Sequence, residues 1–253
     1  MSNASFRPQL NELFEKGFTH VNFEMGDALM ALQNEFFEMT RAQVSKELRS
    51  LQDLHLIIQP DVINSYRLNA ITCLNQSTFK QLLIEKITPF FCSALGEDLA
   101  IQKSMNLMIA PPQDASSVLP LHTDTSVGHS PFELTMLFPL TPIEPAQNMF
   151  IMPLSAWQKN AATLLQKSEN SIDFKSNFHY LNLKPEQAFV FWHHLPHGSH
   201  INNSDKTHWS INLRFKNIFT PYSDKGFAEY FTPHKLSPFN EFVYRETMLK
   251  CKK

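Results

Sequence analysis

The sequence predicts a mainly β protein of one domain, in which N-terminal helices support a β sandwich or barrel. Helical periodicity dominates the first hundred of the 253 residues, and the rest consists mainly of short apolar runs separated by Pro, Gly, Asn, Asp and Ser. A run of helices followed by a run of strands is not the alternation that builds a parallel α/β sheet. The chain also has six glycines and no GxGxxG or Walker-type loop, which disfavours a nucleotide-binding α/β fold.

Two helical stretches are predicted in the N-terminal part, about residues 1–100. Between Phe23 and about Leu56, apolar residues recur at steps of three and four, which is the spacing of one helix face. A second stretch begins at Ser77. The apolar residues of the two faces are Leu29, Leu32, Phe36 and Met39 in the first stretch, and Phe79, Leu82, Leu83, Ile87, Phe90 and Phe91 in the second. Both faces are expected to pack against the core.

The central part, about residues 101–220, is predicted to form the β core, and residues 221–253 are expected to close it. No repeat or linker divides this region. A helix is predicted at Ser155–Ser168, where Leu154 and Trp157 begin an apolar face. The predicted strands are Met105–Ala110, Phe132–Leu140, Asn148–Met152, Ala188–Trp192 and Trp209–Phe219.

The last predicted strand alternates strictly, because side chains of a strand point to opposite faces in turn. One face is apolar and the other polar. The apolar face carries Trp209, Ile211, Leu213, Phe215 and Phe219, and the polar face carries His208, Ser210, Asn212 and Arg214. This pattern fits an ordinary sheet with one solvated face, and it fits equally a jelly roll whose outer face packs on helices and whose polar lumen holds a site.

Charge and cysteine content exclude several classes of function. The 22 Lys and Arg residues against 24 Asp and Glu residues give a net charge of −2, which disfavours binding to duplex nucleic acid. No apolar run approaches the ~18 residues of a membrane span, and the N-terminus lacks the regions of a signal peptide. Cys73, Cys92 and Cys251 are too scattered for a disulfide framework. We therefore expect a cytoplasmic protein with a small-molecule substrate, and without a nucleic-acid or membrane partner.

Histidines are concentrated in one part of the chain, since eight of the eleven lie between His122 and His208. On an extended segment His122 and Asp124 point to the same side, and one imidazole with one carboxylate suits a divalent first-row metal. Chance alone predicts about one such pair in this chain. A third ligand from residues 191–215 would give two histidines and one carboxylate, which leaves three positions open and is typical of non-haem Fe(II) oxygenases rather than zinc sites. The candidates are His193, His194, His197 and His200.

The order of these motifs resembles that of the Fe(II)/2-oxoglutarate-dependent dioxygenases. The block HTDTSVGHSPFE is followed about seventy residues later by HGSxxNxS and an Arg-bearing strand. Within the superfamily the chain is most similar to the phytanoyl-CoA-hydroxylase-like branch, and in particular to oxygenases of streptomycin-type and sporadic bacterial carbohydrate clusters. The resemblance covers about residues 105–219. It implies a double-stranded β-helix (jelly roll) with Fe(II) at its open end, and 2-oxoglutarate and O2 as co-substrates.

By position, the resemblance assigns three metal ligands. His122 and Asp124 match the first two ligands of the family, and His197, the histidine of HGS, matches the third. The resemblance implies that the protein hydroxylates a small polar or carbohydrate-type substrate, with release of succinate and CO2. The alternatives are a non-catalytic jelly-roll binding protein and a cupin-type metal-dependent hydrolase or isomerase.

The co-substrate side departs from the family pattern. An Arg is commonly found about eleven residues after the distal His, but His208, followed by Trp209 and Ser210, occupies this place. Arg214 lies on the same strand face, about 14 Å beyond Ser210 at ~3.4 Å per residue. Either Arg214 reaches back to 2-oxoglutarate with help from Ser210, or His208 replaces the Arg, or the co-substrate is held differently. Because a guanidinium is the better partner for a carboxylate, Arg214 is favoured. The alternative is that Arg214 forms a buried structural ion pair or contacts the substrate.

Three further residues after the H-x-D pair are lesser candidates for a role at the site. Glu133 is predicted either to fix the loop after the metal pair or to bind a substrate hydroxyl. His129 is predicted to lie at the surface in preference to the substrate entrance. Asn148 is a lesser candidate for the site.

Overall fold

The computed structural model describes residues 6–59, 61–145, 149–166 and 177–247. The helices are α1 (Arg7–Lys16), α2 (Asp27–Gln43), α3 (Ile63–Gln76), α4 (Thr78–Leu95), α5 (Leu154–Gln166) and α6 (Pro238–Thr247). The strands are β1 (Phe18–Asn22), β2 (Leu99–Gln102), β3 (Asn106–Ala110), β4 (Glu133–Pro139), β5 (Met149–Ile151), β6 (His179–Tyr180), β7 (Gln187–Trp192), β8 (His197–Ser199), β9 (His208–Asn217) and β10 (Phe231–Lys235). Short 3-10 turns lie at Leu51–Leu56, Ala115–Ser117 and Asp124–Val127. None of the helices in these ranges is long and apolar enough to cross a bilayer.

The strands form two antiparallel sheets. The larger sheet has the order β1-β7-β4-β9-β2-β10, and the smaller one has the order β6-β5-β8. Strand β9 is long enough to pair with β4 on one side and with both β2 and β3 on the other. An antiparallel sheet core with helices on its outer face agrees with the predicted architecture, and the described elements are mixed α/β because the helices hold more residues than the strands.

The outer face of β9 packs against the helices. Phe91 of α4 stacks on Phe215 with 3.7 Å between ring centroids. The Trp209 ring lies 5.5 Å from that of Phe36, and its Nε1 donates a hydrogen bond to the carbonyl of Leu51. The helices therefore support the sheet, as predicted. Phe219, which was assigned to the same face, lies beyond the end of β9 and is 66% exposed.

The inner face of β9 is buried rather than solvated. His208 and Ser210 are at most 1% exposed, and Asn212 and Arg214 line an internal cavity between the two sheets. Of the two interpretations of this strand, the solvated face is therefore wrong, and the polar lumen is confirmed. Apart from the core between the helices and the larger sheet, a second cluster of buried apolar side chains lies between the two sheets.

Several elements were missed by the sequence patterns. Strand β1 lies in the part predicted to be helical. It was missed because only Gly17 separates it from α1 and its five residues are too few to establish a period. Helix α3 was missed because its buried stripe, Ile63, Tyr66, Ala70 and Leu74, mixes small and aromatic residues. No periodic pattern of apolar residues indicated the remaining elements, which are helices α1 and α6 and the short strands β2, β6, β8 and β10. The five predicted strands and the helix after Leu154 are present, with boundaries shifted by one or two residues.

Candidate metal centre

Two segments that are distant in sequence meet at the predicted metal site. His122 and His197 face each other across a narrow antiparallel bridge, in which each backbone N–H donates to the carbonyl of the other, at 3.0 and 2.9 Å. The backbone N–H of Asp124 donates to the carbonyl of His193 at 3.0 Å. The chain up to Thr123 is extended, and the 3-10 turn begins at Asp124. The H-x-D segment is thereby fixed against the end of β7 and the start of β8.

The three predicted ligands converge. Nε2 of His122 lies 3.4 Å from Oδ1 of Asp124, and Nε2 of His197 lies 3.7 Å from the same oxygen. All three donor atoms are within 4.8 Å of one another. Because ligand bonds of roughly 2.0–2.2 Å place neighbouring donor atoms about 3 Å apart, this set fits a divalent ion with small movements.

The histidine tautomers suit metal binding. Nδ1 of His122 donates to the carbonyl of Pro120 at 2.7 Å, and Nδ1 of His197 donates to the carbonyl of Leu195 at 2.8 Å. A proton held on Nδ1 leaves the lone pair of Nε2 for a ligand, and such hydrogen bonds orient metal-binding imidazoles. Burial lowers the pKa of His197 to about 4, so this ring is neutral at physiological pH.

The second oxygen of Asp124 is held by the protein. Oδ2 accepts hydrogen bonds from Nη2 and Nε of Arg214 at 2.7 and 3.1 Å, and Nδ1 of His193 lies 3.2 Å from it. Burial alone would raise the pKa of the Asp124 carboxyl, but contacts with His122 and His193 and the charge of Arg214 hold this pKa well below its usual range. Asp124 is therefore a carboxylate with Oδ1 directed to the two Nε2 atoms.

Behind this carboxylate lies a second group of two histidines and an acid: His129, Glu133 and His193, all buried. Glu133 accepts hydrogen bonds from Nδ1 of His129 at 2.8 Å and from the backbone N–H of Ser130 at 2.9 Å. Nε2 of His193 donates to the carbonyl of Ser130 at 2.7 Å. Glu133 thus ties down the loop after the metal pair, which is one of its two predicted roles. The predicted surface position of His129 is wrong, because the residue is 6% exposed.

Of the other candidates for the third ligand, His193 lies against the opposite oxygen of Asp124, and His194 and His200 lie elsewhere. Nδ1 of His194 is hydrogen-bonded to the Thr125 hydroxyl at 2.9 Å, and its ring packs against Trp192. The ring of His200 packs on Phe150, with centroids 4.7 Å apart. His197 is thus the candidate whose Nε2 faces Asp124 Oδ1. Asn148 lies outside the described residues.

The predicted co-substrate residues are divided between two environments. Arg214 is bonded to Asp124, and its Nη1 also donates to the Tyr230 hydroxyl at 3.2 Å. His208 and Ser210, farther along the same strand face, are buried, and neither ring nitrogen of His208 nor Oγ of Ser210 has a hydrogen-bond partner. Burial lowers the pKa of His208 to about 4. Oγ of Thr135, opposite Arg214 on β4, is also buried without a partner.

The site opens into a cavity of about 390 Å3 between the sheets. His122, Asp124, His197 and Arg214 line one end, and side chains of both sheets line the rest. Gly198, directly after His197, packs so closely that a Cβ atom would lie 2.7 Å from the carbonyl oxygen of Leu119. A larger residue there would separate the two segments that carry the histidines.

The sequence patterns did not predict the roles of three residues at the site. His193 was considered only as a ligand, although its place at the end of a buried strand could have signalled its proximity to Asp124. Tyr230 and Thr135 are single polar residues without a motif, and nothing in the sequence distinguishes them.

Comparisons with known proteins identify the fold. No family model and no curated protein matches the sequence. Among solved structures, the non-heme monooxygenase ThoJ is 17% identical, with a TM-score of 0.60 over 90% of this chain and 84% of that one. The non-heme α-ketoglutarate-dependent epimerase SnoN from nogalamycin biosynthesis is 13% identical, with a TM-score of 0.59 over 90% and 89%. HygX from Streptomyces hygroscopicus, with nickel and 2-oxoglutarate bound, is 13% identical, with a TM-score of 0.55 over 85% and 88%. The chain therefore has the double-stranded β-helix fold of these oxygenases, and the predicted jelly roll is confirmed.

Proposed function

We propose that the protein is a non-haem Fe(II)- and 2-oxoglutarate-dependent oxygenase with His122, Asp124 and His197 as its metal ligands. The observation that carries this proposal is the convergence of two Nε2 atoms and one carboxylate oxygen at the end of a cavity. Two imidazoles and one carboxylate on one side of an ion leave three positions for the co-substrate and O2. HygX holds nickel and 2-oxoglutarate, and SnoN has been solved with Fe3+ and α-ketoglutarate, which supports the same pair here.

When bound, Fe(II) would allow O2 to oxidise 2-oxoglutarate to succinate and CO2 together with the substrate. The contribution of the chain is orientation and exclusion of water. The carbonyls of Pro120 and Leu195 fix the two imidazoles, and Arg214 fixes the carboxylate. Asp124 is 3% exposed, so bulk water reaches this ligand only through the cavity.

We also propose that 2-oxoglutarate lies against the inner face of β9, where Arg214, Ser210 and His208 are its candidate contacts. Buried polar groups normally have partners, so the unpaired Oγ of Ser210 and the unpaired ring of His208 support a polar ligand on this face. Arg214 already binds Asp124, but as a guanidinium it retains donors for a carboxylate at the metal end.

Anaerobic titration tests the metal and co-substrate assignments together. Fe(II) added with 2-oxoglutarate should give a chelate absorption band that is lost in His122→Ala and in His197→Ala. His200→Ala is the matched control and should retain the band. Loss of the band in His200→Ala with retention in His197→Ala would overturn the choice of third ligand.

The carboxylate contact is tested by two further variants. Arg214→Ala is expected to weaken 2-oxoglutarate binding more than His208→Ala does, and the reverse order would transfer this role to His208.

The His at position 208 also favours a second candidate, a binding protein that has lost co-substrate binding. That candidate predicts metal binding with no chelate band at any 2-oxoglutarate concentration. A cupin-type hydrolase or isomerase would show the same result and, in addition, turnover without O2.

A further inference from the structure

Much of the cavity lining is apolar. It includes six residues of the cluster between the two sheets, together with the buried Phe150 and, at the rim, Leu119. Leu119 is 39% exposed there, and Leu121, next to His122, is 37% exposed. The residues shared by the cluster and the cavity are Leu137, Met149, Ile151, Leu181, Phe189 and Phe191.

The charged side chains of the described cavity lining already have partners. Arg67, at the rim, makes five hydrogen bonds, to Asn64, Ser116, Asp114 and, twice, the carbonyl of Ile109, at 2.7 to 3.2 Å. A guanidinium has five N–H donors, so Arg67 has none left for a ligand. The other charged pair, Arg214 with Asp124, faces the metal end.

The remaining polar groups of the lining are neutral. Asn106 and Asn212 lie opposite each other on β3 and β9, and both line the cavity near the unpaired hydroxyl of Thr135. A few neutral donors and acceptors in an apolar wall orient a ligand without neutralising a charge.

We propose that the substrate group entering this cavity is neutral and mainly apolar, such as a ring or alkyl segment with one or two hydrogen-bonding atoms. The inference rests on the proposed oxygenase function and specifies its substrate class. A phosphate or carboxylate would be desolvated without a counter-charge, and some hydroxyl groups of a sugar would lie against apolar side chains without a partner. The volume of about 390 Å3 is at the low end for ligand sites and must also hold the co-substrate. The cavity thus favours an apolar group over the polar or carbohydrate-type substrate expected from the resemblance.

Probe binding tests this inference. With Mn2+ and 2-oxoglutarate present under anaerobic conditions, 2-naphthol should bind in calorimetry, and its proton resonances should broaden relative to a sample with Mg2+. Methyl glucoside and glucose 1-phosphate should bind at least about tenfold more weakly. Tighter binding of either sugar, or no binding of 2-naphthol up to its solubility limit, would overturn the proposal.

A pair of leucine variants locates the bound probe. Leu119→Asp places a charge at the cavity rim and should weaken 2-naphthol binding at least about tenfold. Leu68→Asp is the matched control, because Leu68 is 66% exposed on α3 and is not part of the lining, and it should bind 2-naphthol as the parent does. Equal affinities in the two variants would contradict binding in this cavity.

Failure of the substrate proposal and failure of the oxygenase proposal give different results. If Mn2+ does not bind, the oxygenase proposal fails, and the calorimetric difference between the two leucine variants still tests the cavity. If Mn2+ and 2-oxoglutarate bind but 2-naphthol does not, the substrate class alone is wrong.

Discussion

Two groups of two histidines and one carboxylate lie among the residues that the structure describes, and they differ in which donor atoms remain free. In the first group, His122, Asp124 and His197, the Nδ1 atoms donate to backbone carbonyls while both Nε2 atoms face one carboxylate oxygen at a cavity. In the second group, the Glu133 oxygens are occupied by the backbone N–H of Ser130 and by His129, and the three side chains are sealed from solvent.

The same residue types therefore serve two purposes at adjacent places. The first group leaves Oδ1 of Asp124 and both Nε2 atoms facing the cavity, whereas in the second group both carboxylate oxygens of Glu133 accept hydrogen bonds within the fold. The second group also supports the first, since His193 contacts both Ser130 and Asp124. Accessible, uncommitted donor atoms distinguish a metal site from a buried hydrogen-bond network, and residue composition does not.

Removing one histidine from each group should give the largest contrast. His122→Ala is expected to lower the affinity for Fe(II) or Mn2+ by ~100-fold or more, because loss of a direct ligand should cost at least as much as loss of a supporting contact. His129→Ala should still bind one metal ion per chain. Metal content after dialysis and calorimetric titration measure both. Equal loss of metal in the two variants would contradict the distinction between the groups.

Removing the acid of the second group should mainly affect folding. Glu133→Ala leaves the Ser130 N–H and the His129 ring without their acceptor in a buried place, so the free energy of unfolding should fall by about 2–4 kcal/mol. Urea denaturation measures this change. Glu38→Ala, at an exposed position of α2, should change stability by no more than about 0.5 kcal/mol. A Glu133→Ala protein as stable as the control would show that the second group is dispensable.

His208 differs from the histidines of both groups, because in the structure it neither faces the metal site nor makes a hydrogen bond. Its pKa is lowered by burial from 6.5 to about 4, so the unfolded chain takes up a proton at higher pH than the folded one. Above pH 6.5 the buried ring should not affect the free energy of unfolding. As pH falls towards 4, it should lower the free energy of unfolding progressively, by up to about 3 kcal/mol.

Urea midpoints of the parent and of His208→Leu, measured across this pH range without 2-oxoglutarate, test the prediction. The variant should lose less stability than the parent as pH falls. Parallel pH profiles would show that His208 is solvated.

The smallest effect is expected from Arg214, which holds the Asp124 carboxylate from the inner face of β9. Arg214→Lys keeps the charge but loses the two-pronged contact with Asp124, so metal affinity should fall about tenfold. The Co(II) absorption spectrum should also change, because Asp124 can then offer both oxygens. Arg67→Lys is the matched control, since Arg67 does not contact Asp124, and it should alter neither measurement. An unchanged spectrum in Arg214→Lys would contradict the positioning role.

The parts predicted from the sequence are those set by local geometry. The two-residue period of an extended chain directs His122 and Asp124 to one point, and the same period separates Trp209 from His208 on opposite faces of β9. Strand β4 was recognisable because most of its seven residues are apolar, and all seven are buried.

The parts that were missed depend on contacts between distant segments. That Arg214 meets Asp124 follows from the register of β9 against β4 and from the path of the loop after Thr123, neither of which leaves a local pattern. The three residues of β8 and the five of β1 are too few to show a period, and they become strands because β5 and β7 lie beside them. Sequence could propose the ligands but not the residues that hold Asp124 in place.

The reciprocal backbone bridge between His122 and His197 has a consequence for assembly. It joins the segment after β3 to the smaller sheet, so a metal ion bound by both side chains acts as a cross-link across a long chain interval, as a disulfide would. Binding to the folded chain alone stabilises it by mass action, by about 2.7 kcal/mol at a metal concentration of 100 times Kd. The smaller sheet, which has only three short strands, gains most from this link. The supply of iron would then determine the fraction of the protein that holds its metal ion, and also the resistance of the protein to proteolysis.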